Sequence, residues 1–171
     1  TLLNRIVGTK VSIVSAKVQT TRTRVLGIAL DGAAQLIFID TPGIFLPKRR
    51  LDRAMVAAAW GGAGDADRIL LLIDSKKGVD PDTQLIIDKL VRQGGRSVDL
   101  VLNKIDLVDK QKLLGLTETL NNYGIFDKIY MVSAEKGDGV GDLVSYLKSK
   151  MPSSPWLFPE DQISDMPMRL L

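Results

Sequence analysis

The stretch Leu36-Ile37-Phe38-Ile39-Asp40-Thr41-Pro42-Gly43 decides how the rest of the chain is interpreted. An apolar, partly β-branched run that stops at a carboxylate and continues into Pro and Gly is typical of a buried strand ending in a turn. Asp40 at that strand end can hold Mg²⁺ directly or through water, and Gly43 leaves a backbone N–H open to a phosphate. Taken alone, the stretch fits an ordinary strand and turn equally well.

A second motif, Asn103-Lys104-Ile105-Asp106, follows the apolar run that ends at Leu102. A carboxylate such as Asp106 can accept two hydrogen bonds from guanine, whose N1–H and N2 amine both donate, whereas adenine offers no such donor pair. The stem of Lys104 can lie along a base face, while Asn103 braces the neighbouring loops. The ordinary alternative is a loop that enters a helix.

Two further stretches carry groups suited to a nucleotide. Thr20 and Thr21 lie in a polar, basic segment, where a hydroxyl can reach Mg²⁺ and a backbone N–H can reach a γ-phosphate. Ser133-Ala134-Glu135 would bring backbone N–H groups near the O6 atom of the base. The ordinary interpretations are loop composition for the threonines and a helix N-cap for the serine. In this order and at strand ends, the motifs together favour one nucleotide site.

Strand-like and helix-like patterns alternate along most of the chain. Such alternation predicts a three-layer α/β fold, a mostly parallel sheet with helices on both faces. Ligands of such sheets bind outside the carboxyl ends of the strands, where Asp40, Asp74, Asn103 and Ser133 are predicted to lie. The predicted helices are 1–7 (its end only), 51–60, 81–91, 113–120 and 140–151; the predicted strands are 69–74, 97–102, 128–132 and an antiparallel pair, 25–30 with the Leu36 run, joined by a turn at Asp31-Gly32.

Composition removes several classes of site. The chain has 171 residues, no cysteine and no histidine, so disulfides, thiolate sites and imidazole-based zinc or catalytic clusters are excluded. Its formal net charge of +3 is too small to argue for nucleic acid, although the segment 1–30 carries basic residues and no acidic one. No apolar run approaches the roughly 20 residues that a bilayer span needs, so we expect a soluble, cytosolic protein.

The ordered motifs resemble those of a known family. Thr20-Thr21, Asp40-Thr41-Pro42-Gly43, Asn103-Lys104-Ile105-Asp106 and Ser133-Ala134-Glu135 resemble the second to fifth nucleotide-binding motifs of translation-factor-class P-loop GTPases. Within that class the chain is most similar to the Era family of bacterial ribosome-assembly GTPases. This narrower resemblance is carried by Lys17-Val18-Gln19-Thr20-Thr21-Arg22 and by the tail Phe158-Pro159-Glu160-Asp161-Gln162-Ile163-Ser164-Asp165.

The resemblance implies a GTP-binding and GTP-hydrolysing switch that acts in small ribosomal subunit assembly and ribosomal RNA processing. The implied ligands are GTP or GDP and Mg²⁺. The implied partners are small-subunit ribosomal RNA and the 30S subunit, reached through a KH domain. The G domain is expected to be monomeric, in a cytoplasmic protein that also associates peripherally with the bacterial inner membrane.

The resemblance also assigns residues. The implied nucleotide-binding residues are Thr1, Thr20, Thr21, Asp40, Thr41, Pro42, Gly43, Ile44, Asn103, Lys104, Ile105, Asp106, Ser133, Ala134 and Glu135. Thr21 and Asp40 are the implied metal ligands, and Thr21 and Gly43 the implied catalytic positions. Ile44 stands where many GTPases carry a water-orienting Gln, which implies slow intrinsic turnover.

Two parts of the family pattern are missing from the chain. It contains no G-x-x-x-x-G-K-[ST] phosphate loop, and Thr1 resembles the residue that directly follows that motif. We therefore expect 1–151 to be a G domain without its first strand and phosphate loop, preceded by both in the natural protein. The segment 152–171 is predicted to be a linker toward a KH domain. Alone, the fragment is expected to be inactive in hydrolysis.

Two alternatives to this interpretation stay open. One is another GTPase of the same superclass, such as the tRNA-modifying or tandem-domain ribosome GTPases, which share these nucleotide motifs. The other is a nucleotide-independent RNA-binding or scaffold fragment, which the basic N-terminal third would suit. Micromolar, guanine-specific binding of GDP would separate the switch from the scaffold.

Two local features are also interpreted. Asp99 lies inside a predicted buried strand, where an unpaired charge is costly, and we expect it at the exposed start of that strand. Trp156, Leu157 and Phe158 lie between prolines, and we expect them to anchor the linker back on the domain rather than to stack on bases.

Overall fold

The computed structural model describes residues 1–8, 25–41, 61 and 66–161. Within these residues the chain forms two compact units, one with 1–8, 25–41, 61 and 141–161, the other with 66–140. The predicted helix at 51–60 and the polar loop that carries the threonine pair lie outside the described residues. In the described part of the chain, no helix combines the length and apolar character that a membrane crossing needs.

The first unit is built on an antiparallel hairpin. Strand β1 (Val25–Asp31) pairs with β2 (Ala34–Asp40), from Val25 opposite Asp40 to Asp31 opposite Ala34. The predicted pairing is confirmed, but the turn is Gly32-Ala33, one residue later than predicted. Gly32 has a φ of 61°, which a two-residue hairpin loop requires and glycine adopts without a steric penalty.

A short helix packs on the hairpin. Helix α1 (Leu2–Val7) ends at Gly8, which has a φ of 83° and donates its N–H to the Asn4 carbonyl at 3.0 Å. This confirms the predicted helix end. The Leu3 side chain lies so close to Gly27 that a Cβ at position 27 would collide with it. A glycine in β1 therefore lets α1 approach the strand.

The C-terminal tail is fastened to the same hairpin. Helix α4 (Val140–Lys150) precedes it, and the Lys148 ammonium lies 3.2 Å from the Asp31 carboxylate. Trp156 Nε1 donates to the Ala33 carbonyl at 2.8 Å. The Gln35 amide donates to the Phe158 carbonyl and accepts from the N–H groups of Leu157 and Phe158. These bonds confirm the predicted anchoring, while a domain boundary at residue 151 stays a prediction.

The second unit contains a parallel sheet. Its strands β3 (Ile69–Asp74), β4 (Val98–Asn103) and β5 (Phe126–Val132) pair in that order. Residues 100–102 of β4 are completely buried, as expected for the central strand of a sheet covered on both faces. Crossovers between parallel strands are almost always right-handed, and this rule predicts that the two connecting helices lie on one face. The parallel α/β sheet is confirmed; helices on the opposite face stay a prediction.

Carboxylate caps begin the two helices of this unit. Helix α2 (Pro81–Gln93) starts at a proline, and Asp80 accepts a hydrogen bond from the Thr83 N–H at 2.8 Å. Helix α3 (Lys110–Asn121) is capped by Asp109, which accepts from the Lys112 N–H at 2.8 Å. Helix α3 begins three residues before the predicted start at residue 113. The prediction missed this first turn because the turn is polar and carries no apolar periodicity. Helix α2 likewise runs two residues past its prediction, and β5 starts two residues earlier.

Asp99 does not lie at an exposed strand start, so that expectation is wrong. Its side chain is completely buried. Arg68 compensates the charge, with Nε 2.7 Å from one Asp99 oxygen and Nη2 3.0 Å from the other. The same guanidinium lies 2.6 Å from Asp127, which is partly exposed. A bidentate pair of this kind lets a carboxylate occupy the interior of a parallel sheet.

Candidate functional site

The carboxyl edge of the parallel sheet gathers several of the predicted residues. Asp74 at the end of β3 is in register with Asn103 at the end of β4, and Asn103 is in register with Val132 of β5. Ser133 follows Val132 directly. The polar residues that follow these three strands therefore share one edge, as the sequence predicts.

Asn103 connects two of the strand ends through one side-chain oxygen. Its Oδ1 accepts a hydrogen bond from the Lys104 N–H at 2.8 Å and another from the Ala134 N–H at 3.0 Å. The first bond fixes the turn after β4, and the second reaches across to the loop after β5. The predicted bracing role of Asn103 is confirmed.

Lys104 has an unusual backbone. Its φ and ψ of 64° and 36° lie in the left-handed region, and in the described ranges it is the one residue other than glycine with a positive φ. It precedes a 3₁₀ turn, Ile105–Leu107, in which the Leu107 N–H donates to the Lys104 carbonyl at 3.0 Å. The side-chain ammonium lies 2.7 Å from Asp74 Oδ2. This kink at the strand end presents Asp106 from the 3₁₀ turn.

Asp106 is mostly buried yet poorly partnered. Its side chain is 9% exposed, and in the described part of the chain its one recorded polar contact is the Lys136 ammonium at 3.9 Å. That distance is at the outer limit of an ion pair, and the Lys136 side chain is 61% exposed, so the contact contributes little. A carboxylate that is largely enclosed by protein normally accepts hydrogen bonds from the protein, from water or from a ligand. The position therefore fits a ligand that brings donors of its own.

The loop after β5 is a tight turn held by Ser133. The Ser133 N–H donates to the Asp138 carbonyl at 3.0 Å, while its own carbonyl accepts from Gly137 at 2.7 Å and its hydroxyl from the Lys136 N–H at 3.1 Å. The Ala134 N–H, predicted near the base O6 atom, donates to Asn103 here. Contact of this loop with a base stays a prediction, as does any role of Ile105 and Glu135.

Asp74 is a further candidate that the motifs did not assign. Burial raises its pKa, but the hydrogen bond from Lys104, those from the Lys76 and Lys77 N–H groups and the charge of Lys104 together hold the pKa below its ordinary value. The available signal was its position at the end of β3. The adjacent Ser75 is completely buried, and its hydroxyl has no hydrogen-bond partner among the residues that the structure describes.

Comparison with known proteins decides the family. The protein-family model described as "50S ribosome-binding GTPase" matches residues 1–104. The chain belongs to this GTPase family. The match includes the strand that ends at Asp40 and the Asn103-Lys104 pair, while Asp106 and Ser133-Ala134-Glu135 lie beyond it.

Individual proteins that are similar to this chain are named GTPase Era. GTPase Era of Dinoroseobacter shibae is 52% identical over 173 residues, which cover 100% of this chain and 56% of the relative. GTPase Era of Agrobacterium fabrum is 55% identical over 171 residues, covering 100% of this chain and 54% of the relative. The predicted resemblance to Era is confirmed, and the chain spans about half the length of these curated relatives.

Solved structures give the same result. The crystal structure of Era in complex with MgGDPNP and nucleotides 1506–1542 of 16S ribosomal RNA superposes with a TM-score of 0.92 at 39% identity. An Aquifex aeolicus Era variant bound to GDP·AlF4⁻ superposes with a TM-score of 0.90, also at 39% identity. Each match covers 99% of this chain and 58% of the other. The GTPase chain therefore has the α/β fold of Era.

The structure describes only some of the residues that are predicted to bind phosphate and Mg²⁺. Thr1 precedes α1 and makes no side-chain capping bond, Asp40 ends β2 opposite Val25, and Thr41 follows it. These residues belong to the first unit, whereas the base-directed residues belong to the second. Thr20, Thr21, Pro42, Gly43 and Ile44 lie outside the described residues. Convergence of all of them on one nucleotide stays a prediction.

Proposed function

We propose that this chain recognises the base of a guanine nucleotide through Asp106, as part of a switch that binds GTP and GDP and, in the whole protein, hydrolyses GTP. The observation that carries the proposal is the carboxylate of Asp106, 9% exposed and held by one long contact in the described part of the chain. Guanine supplies two adjacent donors, N1–H and the N2 amine, which match the two carboxylate oxygens. Adenine supplies no equivalent pair.

The neighbouring Asp109, Asp74 and Asn103 side chains already accept hydrogen bonds from the protein. Asp106 is therefore the side chain best placed to accept hydrogen bonds from a base. Asp109 caps α3, and Asp74 accepts from Lys104 and from the loop after β3. Asn103 holds the two loops on either side. These hydrogen bonds use groups of the protein alone, so they would hold the loops in place for a base.

The phosphate end of the switch is assigned to Asp40, Thr21 and Gly43. In the described residues no group of three or more acidic side chains converges to hold a metal. Mg²⁺ does not need such a cluster, since it is commonly bound by one or two carboxylates together with substrate phosphates and water. When bound, Mg²⁺ neutralises charge on the phosphate oxygens. Asp40 and the Thr21 hydroxyl would hold the metal, and the Gly43 N–H would position the γ-phosphate.

We further propose that the switch acts in small ribosomal subunit assembly and ribosomal RNA processing, in the cytoplasm and at the inner membrane surface. The support is the 39% identity, over 99% of this chain, to an Era that was solved with 16S ribosomal RNA. Binding of RNA is assigned to parts of the whole protein outside this chain. Slow intrinsic hydrolysis is expected from the apolar Ile44.

The test measures affinities of the full-length protein for GDP, XDP and ADP by titration calorimetry. The wild type is expected to bind GDP and neither of the others at micromolar concentration. Asp106→Asn should favour XDP over GDP, because the asparagine amide can donate to the xanthine O2 atom while its oxygen accepts from N1–H. Xanthine offers there an acceptor where guanine has an amine.

Asp109→Asn is the matched control, since it makes the same substitution three residues away and asparagine caps a helix as well as aspartate. Its preference for GDP should equal that of the wild type. An Asp106→Asn protein that still prefers GDP would remove the base-recognition role. A wild type that binds no GDP would favour the RNA-binding scaffold instead.

A further inference from the structure

The side chain of Lys104 is held by a carboxylate on the neighbouring strand. Its Nζ lies 2.7 Å from Asp74 Oδ2. Because Asp74 is in register with Asn103 in a parallel pair, the lysine starts from the end of β4 and its ammonium reaches the end of β3. The hydrocarbon stem of Lys104 is thereby laid along the carboxyl edge of the sheet.

The backbone of Lys104 is held as firmly as its side chain. Its left-handed conformation, with a φ of 64°, is unfavourable for a residue with a Cβ. The Lys104 N–H donates to Asn103 Oδ1 at 2.8 Å, and its carbonyl accepts from the Leu107 N–H at 3.0 Å. Strained residues persist where surrounding contacts fix them, and such positions cluster at functional sites.

The Asp74 carboxylate is also held by backbone hydrogen bonds that do not involve Lys104. Its Oδ1 accepts from the Lys76 N–H at 2.9 Å and from the Lys77 N–H at 3.4 Å, which leaves Oδ2 for the Lys104 ammonium. Its pKa is held low by these bonds and by the Lys104 charge, despite the opposing effect of burial. The carboxylate is therefore ionised at neutral pH and points in one direction.

We propose that Asp74 is a positioning residue for guanine recognition, whose carboxylate fixes Lys104 so that the lysine stem forms a preset platform for one face of the base. The inference rests on the proposed function, since it needs a guanine nucleotide at Asp106. Asp74 itself touches no ligand and acts through Lys104. A long, unordered lysine side chain would lose rotamer freedom on binding, and the ion pair removes that cost beforehand.

The first test is Asp74→Asn in the full-length protein, with GDP and GTP affinities measured by titration calorimetry. Asparagine keeps an oxygen for the Lys76 and Lys77 N–H groups but loses the charge that holds Lys104. Both dissociation constants should rise about two- to fivefold at low salt, as for an ion pair between partly exposed groups. The dissociation constants of GDP and GTP should rise by the same factor, because both nucleotides carry the same base. The difference from wild type should vanish near 1 M NaCl, where the charges are screened.

Asp80→Asn is the matched control. Asp80 also accepts a hydrogen bond from a backbone N–H in the loop between β3 and α2, and asparagine caps a helix equally well. Its GDP affinity should equal that of the wild type at every salt concentration. A loss as large as that of Asp74→Asn would mean that any carboxylate in this loop acts at a distance, and would overturn the inference.

A double-mutant cycle separates positioning from a merely structural role. Lys104→Met removes the ammonium and keeps an unbranched stem, and in that background Asp74→Asn should change GDP affinity no further. If Asp74→Asn lowers GDP affinity by the same factor in the wild-type and Lys104→Met backgrounds, Asp74 only supports its loop. That result would overturn the inference. So would wild-type or tighter affinity in Asp74→Asn alone. A wild type that binds no GDP would instead overturn the proposed function.

Discussion

Replacing Asn103 by alanine should loosen the loop after β5 and destabilise the parallel sheet unit. The substitution removes the acceptor of the Ala134 N–H, which belongs to a residue that is only 3% exposed. Removing the side chain that accepts from a buried N–H costs about 1–3 kcal/mol. The bond from the Lys104 N–H is more exposed and adds less. We therefore expect the free energy of unfolding to fall by about 2 kcal/mol.

Urea denaturation measures this change, and Asn103→Asp is its control. Aspartate keeps an oxygen in place for both N–H groups, so it should retain most of the stability that alanine loses. Hydrogen exchange localises the effect: the Ala134 amide should exchange faster in Asn103→Ala and not in Asn103→Asp. If alanine and aspartate variants unfold at the same urea concentration as the wild type, Asn103 does not brace the two loops.

Two further predictions concern the contacts that support the site. Arg68→Met removes the two hydrogen bonds that Arg68 donates to the buried Asp99 carboxylate, and the free energy of unfolding in urea should fall by about 3–5 kcal/mol. The double variant Arg68→Met with Asp99→Leu should recover much of that loss, and no recovery would refute the pairing. Gln35→Ala removes three hydrogen bonds to the tail, so limited proteolysis after Leu157 should accelerate; an unchanged cleavage rate would show that the tail is held by other contacts.

The elements with a clear apolar period could be predicted closely from the sequence. Strand β4 is apolar at every position but Asp99 and its last residue, Asn103, and its prediction is correct to within one residue. The polar first turn of α3 gave no such period, so the capping role of Asp109 went unnoticed and the helix was predicted too short. The hairpin turn was misplaced by one residue, because Asp31-Gly32 and Gly32-Ala33 are both acceptable turn pairs.

The site could be predicted where a motif specifies side-chain chemistry, and not where partners come from distant segments. The bracing by Asn103 and the contacts of the tail agree with expectation. The burial of Asp99 was missed, since its partner Arg68 lies thirty-one residues earlier and forms no pattern with it. The ion pair between Asp74 and Lys104 has the same character, because the register of β3 and β4 creates it.

The most direct test is the crystal structure of the full-length protein with GDP and Mg²⁺. Our account predicts that both oxygens of the Asp106 carboxylate accept from guanine, with distances to N1 and N2 of about 2.7–3.2 Å. It also predicts that the Lys104 stem covers one face of the ring while its ammonium stays with Asp74. A guanine bound elsewhere, with Asp106 still facing only Lys136, would contradict it.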